Sequence, residues 1–126
     1  SRSSAASDVY KRQNKYGAKA CWADNIRFDS LAEMRRYLEL KLLLAAGEIT
    51  NLKVHPRYLL QAGFKYKGKV ERPIHYVGDF AYLEATTGAL VVEDVKGKPT
   101  QAYRLKRKLF LAQYRDIYDF REVEAA

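Results

Sequence analysis

Apolar residues recur at three- and four-residue spacing from Ser30 onward, and this period predicts a first amphipathic helix. Gly47 follows the repeat and supplies a natural helix stop. A second helical pattern begins after Thr100, whose hydroxyl suits the N-cap position, and it runs to about Tyr114. The recurring apolar residues of the first helix are Leu31, Met34, Leu38, Leu42 and Ala45, and the apolar face of the second comprises Ala102, Leu105, Leu109 and Ala112.

Between the helices the pattern changes to the two-residue alternation of strands. Residues 52–61 form the first predicted strand, in which Pro56 indicates an edge position or a bulge. The turn-rich stretch GFKYKGK then leads to two more predicted strands, at residues 73–84 and 90–96. A turn at residues 86–88 joins these two, so they are expected to pair antiparallel.

A last strand is predicted at residues 117–123, after the second helix. The order is therefore helix, three strands, helix, strand, which predicts an α+β fold with helices flanking a mixed central sheet. At 126 residues the chain is long enough for one compact domain and too short for two.

Composition limits the class of protein further. The longest apolar stretch is interrupted by charged residues and falls well short of the roughly 18 apolar residues that a membrane-spanning helix needs. Cys21 is the only cysteine, so neither an intramolecular disulfide nor a cysteine-based metal cage can form. These features predict a soluble protein of a reducing compartment such as the cytoplasm.

The first thirteen residues, SRSSAASDVYKRQ, lack apolar periodicity and are similar to a translated sequencing-adapter sequence. We therefore predict a non-native or disordered leader at residues 1–13 and a single domain at residues 14–126. The leader contributes +2 of the formal net charge of +8, which leaves about +6 on the domain. This excess favours nucleic acid as the partner, although many basic domains bind nothing specifically.

The candidate chemistry lies where the two central strands end. Side chains alternate across a sheet, so in the run VVEDVKG Asp94 and Lys96 share one face and Glu93 takes the other. The hairpin returns the chain, so that Asp79 can lie near Asp94. Phosphodiester hydrolysis uses this combination: carboxylates hold a divalent cation, and a lysine orients the nucleophile or stabilises the transition state.

An ordinary cross-strand charge cluster is the alternative for the same three residues, because opposite charges on facing strands are common and modestly stabilising. Their surroundings favour a site. Asp94 interrupts a strand that contains three valines, and a carboxylate in such surroundings is costly without a metal or another cation as partner.

Asp79 followed by Asp94-Val95-Lys96 resembles the D…(D/E)xK signature of the PD-(D/E)XK nuclease superfamily. The predicted order of elements is similar to the αβββαβ core of that superfamily, the restriction-endonuclease-like fold. Within it, the runs FDS at residues 28–30, YVGDF at residues 76–80 and VEDVKG at residues 92–97 are similar to a family of small phage and prophage proteins. The relatives of that family include Holliday-junction resolvases and transposase endonuclease subunits.

The resemblance implies that Asp79 and Asp94 bind Mg²⁺ or Mn²⁺, that the Val95 backbone carbonyl completes the inner shell, and that Lys96 is the catalytic lysine. Two positions depart from the pattern. Gly78 replaces the proline for which the superfamily is named, and Glu93 would take the place of Asp94 if a bulge shifted the strand register. Asp94 is preferred because it alone has the required spacing to Lys96.

In such nucleases a glutamate of the first helix joins the metal site, and Glu33 is the residue that this resemblance indicates. Glu33 lies on a helical line with Tyr37, Leu40 and Leu44, so its carboxylate is expected to point toward packed surface. The alternative is a capping box with Ser30, in which Glu33 bonds back to the first backbone amides of the helix.

Several basic residues are candidates for binding nucleic-acid phosphates. Phosphate can dock at the positive N-terminal end of the second helix, near Lys98 and Thr100. Lys106 follows a helical line with Tyr103 and Phe110, and it is predicted to turn toward the site. The other candidates are Arg104, Arg107 and Lys108, on a predicted solvated face, and Lys65 and Lys67, in the turn-rich loop. Plain solubility is the alternative role for these charges.

The preferred hypothesis is a divalent-metal-dependent DNA endonuclease, with branched phage DNA intermediates as one substrate class and a homodimer as one assembly. The alternatives are a catalytically inactive DNA-binding module and a nuclease subunit that is active only within a larger complex. His55 and His75 show no metal-ligand spacing and are predicted to be ordinary strand histidines, and Trp22 and Tyr76 are predicted packing residues.

Overall fold

The computed structural model of the protein describes residues 20–97 and 99–124. The predicted leader at residues 1–13 and the candidate phosphate contact Lys98 lie outside the described residues. The described part contains two helices and ten strands. In chain order they are β1 (Cys21–Ala23), β2 (Ile26–Phe28), α1 (Leu31–Ala45), β3 (Ile49–Val54), β4 (Arg57–Gln61), β5 (Phe64–Tyr66), β6 (Lys69–Glu71), β7 (Ile74–Val77), β8 (Phe80–Glu84), β9 (Leu90–Val95), α2 (Gln101–Tyr114) and β10 (Asp119–Val123).

Both helices begin and end close to where the sequence predicts. Ser30 caps α1, since its hydroxyl accepts a hydrogen bond from the Glu33 amide at 3.1 Å, and Thr100 caps α2 in the same way through Tyr103, also at 3.1 Å. After α1 the chain turns at Gly47 with a φ of +76°, a conformation that glycine adopts without strain. Local capping chemistry therefore sets the helix ends.

The apolar face predicted for α2 is wrong, and the repeat of apolar residues on α1 is buried only in part, since Met34 packs against the core. On α1, Leu38 and Leu42 are 46% and 73% exposed, and on α2, Leu105 is 61% exposed. The buried residues are instead Tyr37 and Leu40 on α1, and Phe110 on α2; Ala102, Leu109 and Ala112 are exposed as well. Aromatic side chains with tertiary partners define the buried faces: the Tyr37 ring packs 5.1 Å from Phe28, and its hydroxyl donates to Asp24 at 2.6 Å.

Four strands form the central sheet, in the order β10, β9, β8, β3. Strands β8 and β9 pair antiparallel across the turn at residues 86–88, as predicted. Strand β10 returns after α2 and pairs parallel with β9, whereas β3 pairs antiparallel with β8. The described part of the chain is therefore an α+β fold with a mixed central sheet, which confirms the predicted class.

Two predicted strands are each broken into two. The predicted strand at residues 52–61 is divided at His55 and Pro56 between β3 and β4, and the one at residues 73–84 is divided at Gly78 and Asp79 between β7 and β8. The two breaks meet, because the His55 amide donates to the Asp79 carbonyl at 2.9 Å and the Gly78 amide to the Pro56 carbonyl at 2.9 Å. Strands β4 to β7 consequently leave the central sheet as a separate hairpin.

The central sheet has a hydrophobic layer on each face. Phe28, Tyr37, Leu40 and Phe80 belong to the layer under α1, and Tyr76, Val92 and Phe110 belong to the layer under α2. Tyr76, 2% exposed, is a packing residue as predicted, but Trp22 is 59% exposed and that prediction is wrong. Within the described residues, neither helix is long and apolar enough to cross a membrane.

Candidate functional site

Asp79 occupies the break between β7 and β8, and backbone hydrogen bonds hold it there. Its amide donates to the Glu93 carbonyl at 3.0 Å, and its carboxylate accepts a hydrogen bond from the Val95 amide at 2.6 Å. The Asp79 side chain is therefore aimed at the end of β9, the strand that contains Asp94.

Asp94 lies within hydrogen-bonding reach of Asp79. The buried Tyr76 hydroxyl donates to the Asp94 carboxylate from the layer under α2, which fixes the direction of the side chain. The exposed Lys96 lies next to Asp94 in the lining of a cavity of about 360 Å³, a size that suits a small ligand. The structure thus brings the three predicted residues together at one end of the sheet. The full lining comprises Asp94, Val95, Lys96, Gly97, Pro99, Tyr103 and Glu122.

Glu93 points to the opposite face of the sheet and has its own partners. Its side chain is fully buried, and Arg36 donates to both carboxylate oxygens, from Nε at 2.8 Å and from a terminal nitrogen at 2.6 Å. The Tyr82 hydroxyl donates to the same carboxylate. Because Glu93 is neutralised beneath α1, Asp94 is the acid of the triplet that faces Asp79.

Glu33 turns its carboxylate toward Asp79. Its side chain is 12% exposed and lies beside the buried Tyr37 and Leu40, as the helical line predicts. Ser30 caps the Glu33 amide and also donates its hydroxyl to the Glu33 carboxylate at 3.4 Å. The capping role of Ser30 and the inward direction of Glu33 therefore coexist. Glu33, Asp79 and Asp94 are called the carboxylate cluster below.

His55, predicted to be an ordinary strand histidine, lies against the carboxylate cluster. Its Nε2 is 3.8 Å from a Glu33 carboxylate oxygen, and one ligand atom from each of Glu33, His55 and Asp79 lies within 4.8 Å of the others. His55 has a φ of +53°, a left-handed conformation that is uncommon for a residue other than glycine. His55 lies 24 residues before Asp79, a spacing that matches no metal-binding motif. The sequence signal that could have indicated its position is Pro56, which predicts an edge strand or a bulge next to it.

Burial and mutual repulsion define the electrostatics of the cluster. Burial, followed by hydrogen bonding and charge repulsion from Glu33, raises the pKa of the Asp79 carboxyl from 3.8 to about 7. Burial and the adjacent Asp79 raise the pKa of Asp94 to about 7, although the Tyr76 hydrogen bond acts in the opposite direction. Carboxyl groups crowded in this way are stabilised by a cation between them.

Glu122 and Tyr103 are further site residues that the sequence did not reveal. Glu122 is the register partner of Asp94 in the parallel β9–β10 pair, and its charge contributes to the raised pKa of Asp94. The Tyr103 hydroxyl donates to Glu122 at 2.8 Å, and Arg107 donates to it at 3.0 Å. Only the parallel return of β10 brings Glu122 to the cavity, so sequence spacing gave no signal.

The predicted phosphate contacts are distributed over two surfaces. Arg104, Lys106 and Lys108 are exposed on α2, although Lys106 was predicted to turn toward the site with Tyr103. Arg107 was predicted on the solvated face but pairs with Glu122 and lies over the Phe120 ring at 5.8 Å. Thr100 is the N-cap of α2, and Lys65 and Lys67 are exposed in the β5–β6 hairpin.

Asp79→Asn is expected to remove part of the pH dependence of stability of the metal-free protein. Because the folded-state pKa of Asp79, about 7, lies above its ordinary value, its contribution to stability is complete below about pH 4 and is lost as the pH rises through about 7. Asparagine stays neutral and still accepts the Val95 hydrogen bond. In urea denaturation with a chelator, the variant should gain about 1–2 kcal/mol over the wild type at pH 8 and little at pH 4.

Asp116→Asn is the matched control for this measurement, because Asp116 is exposed after the end of α2. It should follow the wild type at both pH values. If Asp79→Asn shows the same pH dependence as the wild type, the crowding of the carboxylate cluster contributes nothing to stability.

Comparison with known proteins places this site within one family. The family model described as "Protein of unknown function (DUF1064)" matches residues 13–124, a range that contains the carboxylate cluster, His55, Lys96 and Glu122. No curated protein and no solved structure matches the chain. The chemistry of the site therefore has to be inferred from its own residues.

Proposed function

This chain belongs to the DUF1064 family, and we propose that it is a divalent-metal-dependent endonuclease that hydrolyses phosphodiester bonds of DNA. One observation carries the proposal: the Asp79 carboxyl lies within hydrogen-bonding reach of both Glu33 and Asp94, and Asp94 lines a cavity together with Lys96. Two of these carboxyls have raised pKa values, which an ordinary surface ion pair would lower.

The order of elements around the central sheet supports the proposal. Helix α1, strands β3, β8 and β9, helix α2 and strand β10 follow one another in the chain as in the αβββαβ core of PD-(D/E)XK nucleases, once the hairpin of β4 to β7 is set aside. Because one fold can host many functions, the side chains of the site weigh more than the order of elements.

The donor set suits Mg²⁺ or Mn²⁺, which prefer oxygen ligands. Asp79 and Asp94 offer carboxylate oxygens, and Glu33 offers a third. The Val95 amide faces Asp79, and because the N–H and C=O of one strand residue face the same side, the Val95 carbonyl is available as a fourth oxygen. His55 adds a nitrogen on the Glu33 side.

Each side chain has a task in hydrolysis. The bound cation would neutralise negative charge that develops on the phosphate and lower the pKa of attacking water. Tyr76 and the Val95 amide hold the Asp94 and Asp79 carboxylates in place, so that these ligands need not reorganise during the reaction. The Lys96 ammonium would donate hydrogen bonds toward the phosphate or the attacking water as the bond from the water oxygen to phosphorus forms and the bond to the leaving sugar oxygen breaks. The water would give up one proton to solvent, and the leaving sugar oxygen would take one proton from solvent.

Positive charge supports DNA as the substrate. The chain has a formal net charge of +8, and α2 displays Arg104, Lys106 and Lys108 at the surface, on the helix that follows the site. Such charges bind backbone phosphates without reading sequence. They would hold a DNA strand near the cavity while the carboxylate cluster acts on one phosphate.

The test incubates purified protein with linear duplex, single-stranded and four-way-junction DNA, with Mg²⁺, with Mn²⁺ or with a chelator. We expect metal-dependent cutting by the wild type and a loss of at least about 100-fold in Asp94→Asn, since a charge-neutral ligand holds the cation poorly. Asp116→Asn, an exposed carboxyl, should cut like the wild type.

Three outcomes would count against the proposal. Cutting that survives Asp94→Asn points to a contaminant or another site. Metal-independent DNA binding without cutting favours a catalytically inactive DNA-binding module. Cutting that appears only when other proteins are added favours a nuclease subunit of a larger complex.

A further inference from the structure

A long β hairpin starts and ends at the candidate site. Strand β4 pairs antiparallel with β7, and β5 pairs antiparallel with β6 beyond them, so residues 57–77 form one arm with a turn at Lys67 and Gly68. The arm leaves the site directly after His55 and Pro56 and returns directly before Asp79, and backbone hydrogen bonds of 2.9 Å close its base at these residues. A nucleic acid bound along the arm would therefore be held at a fixed position relative to the carboxylate cluster.

The arm is long enough to reach a second point on a nucleic acid. Lys67 follows Pro56 by eleven positions, and an extended strand rises about 3.3 Å per residue, so the arm reaches at most roughly 36 Å. The base of the arm packs on α2, since the Tyr114 hydroxyl donates to the Leu59 carbonyl at 2.6 Å and the Gln113 amide to the Leu60 carbonyl at 2.8 Å. The two chains of the arm approach closely at Gly63, where an added Cβ would lie 3.1 Å from Pro73. Beyond this point the arm consists of β5, β6 and the turn that joins them.

The distal part of the arm, residues 64–72, is called the arm tip, and all of its residues are exposed. Phe64 and Tyr66 are 53% and 58% exposed and alternate along β5, so both rings lie on one face of the hairpin. The tip has a net charge of +3, because it contains four basic residues, Lys65, Lys67, Lys69 and Arg72, and one acidic residue, Glu71. The Lys67 ammonium lies 5.4 Å from the centre of the Tyr66 ring.

Exposed rings interleaved with cations match one chemistry better than others. Nucleic-acid bases stack on aromatic faces, and their phosphates pair with lysine and arginine. Bases within a duplex are already stacked on one another, so flat rings gain this stacking only with unpaired nucleotides. An isolated two-stranded hairpin is also marginally stable in water, and a stacked strand would order it.

We propose that the arm tip binds unpaired nucleotides of the substrate at up to roughly 36 Å from the base of the arm, about one helical turn of DNA. This inference rests on the proposed nuclease function and names its substrate class: DNA that combines the cleaved bond with a single-stranded segment. Phe64 and Tyr66 stack on bases, and Lys67 and Lys69 neutralise adjacent phosphates.

The test measures binding by fluorescence anisotropy in the presence of a chelator, with two labelled DNAs that have about the same number of phosphates: a blunt duplex, and a duplex with a single-stranded tail. We expect the wild type to prefer the tailed DNA. The double variant Phe64→Ala, Tyr66→Ala should lose about 10-fold or more in affinity for tailed DNA and little for blunt DNA. The double variant Lys67→Gln, Lys69→Gln should lower the salt dependence for tailed DNA by about 1.4 in log–log slope, about 0.7 for each phosphate that a lysine no longer neutralises.

Trp22→Ala is the matched control, because Trp22 is 59% exposed on β1, a strand that pairs with β2 and not with a strand of the arm. It should bind both DNAs like the wild type. If the ring variants keep the wild-type preference, or Trp22→Ala loses as much, the inference is overturned, and an acidic protein surface becomes the partner class for the tip. A protein that shows the tail preference but never cuts with Mg²⁺ or Mn²⁺ keeps the arm inference and loses the nuclease proposal, so the two failures are distinguishable.

Discussion

Lys96→Ala is expected to retain divalent-cation binding and to slow DNA cutting by roughly 100- to 1,000-fold, the loss typical of removing one preorganised donor to a transition state. The Lys96 side chain is exposed in the cavity lining beside Asp94, whereas the oxygen donors proposed for the cation belong to the carboxylate cluster. Removing the ammonium therefore leaves the ligands intact. Asp79→Asn should show the opposite split, with weakened Mn²⁺ binding as the primary defect.

Mn²⁺ binding by titration calorimetry or electron paramagnetic resonance, together with single-turnover cutting, separates these effects. Lys53→Ala provides the control, because Lys53 is exposed on β3 and should change neither quantity. Lys96→Ala with wild-type cutting, or with Mn²⁺ affinity as low as that of Asp79→Asn, would show that Lys96 does not act on the reacting atoms.

Arg36→Met is expected to have the largest effect on stability, about 3–5 kcal/mol, because it leaves the Glu93 charge buried without its partner. The Glu93 side chain is fully buried, and Arg36 is 19% exposed and donates to both of its oxygens. The pair also anchors β9 to α1, and the Glu93 carbonyl in turn accepts from the Asp79 amide. Urea denaturation measures the loss.

Arg121→Met is the matched control, since Arg121 pairs with Glu84 and Asp119 at the surface. Exposed pairs contribute little, so the expected loss is below about 1 kcal/mol. The double variant Arg36→Met, Glu93→Leu should recover much of the stability lost in Arg36→Met, because it removes both charges. A cost of Arg36→Met no larger than that of Arg121→Met would mean that solvent reaches the pair and that it does not hold β9 in register.

The charged groups at this end of the sheet fall into two sets, a buried ion pair and a pair of crowded carboxyls with raised pKa values. Glu93 is paired with Arg36 on the α1 face, whereas Asp79 and Asp94 are crowded together, and no arginine of residues 20–97 or 99–124 forms an ion pair with either of them. The first arrangement stabilises the packing of α1 on β9. The second favours a cation, and it is expected to reduce the stability of the metal-free protein at neutral pH, a cost that functional sites commonly impose on a fold.

Local rules within the sequence determined several features correctly. The pleat of a strand has a period of two, so VVEDVKG was sufficient to place Asp94 and Lys96 on one side and Glu93 on the other. Ser30 and Thr100 marked the helix starts because capping depends on neighbours three residues away. The turn at residues 86–88 predicted the β8–β9 pair and hence the meeting of Asp79 with Asp94.

The tertiary structure alone decided which groups from distant parts of the chain meet. His55 reaches the carboxylate cluster because Pro56 and Gly78 break two strands at the same place, and Glu122 reaches the cavity because β10 returns parallel to β9. Leucine spacing predicted helical faces but could not tell which face meets the sheet, and aromatic partners such as Phe28 and Tyr76 decided that. Periodicity describes a segment by itself, whereas burial and pKa depend on what packs against it, and that is set only when the whole chain has folded.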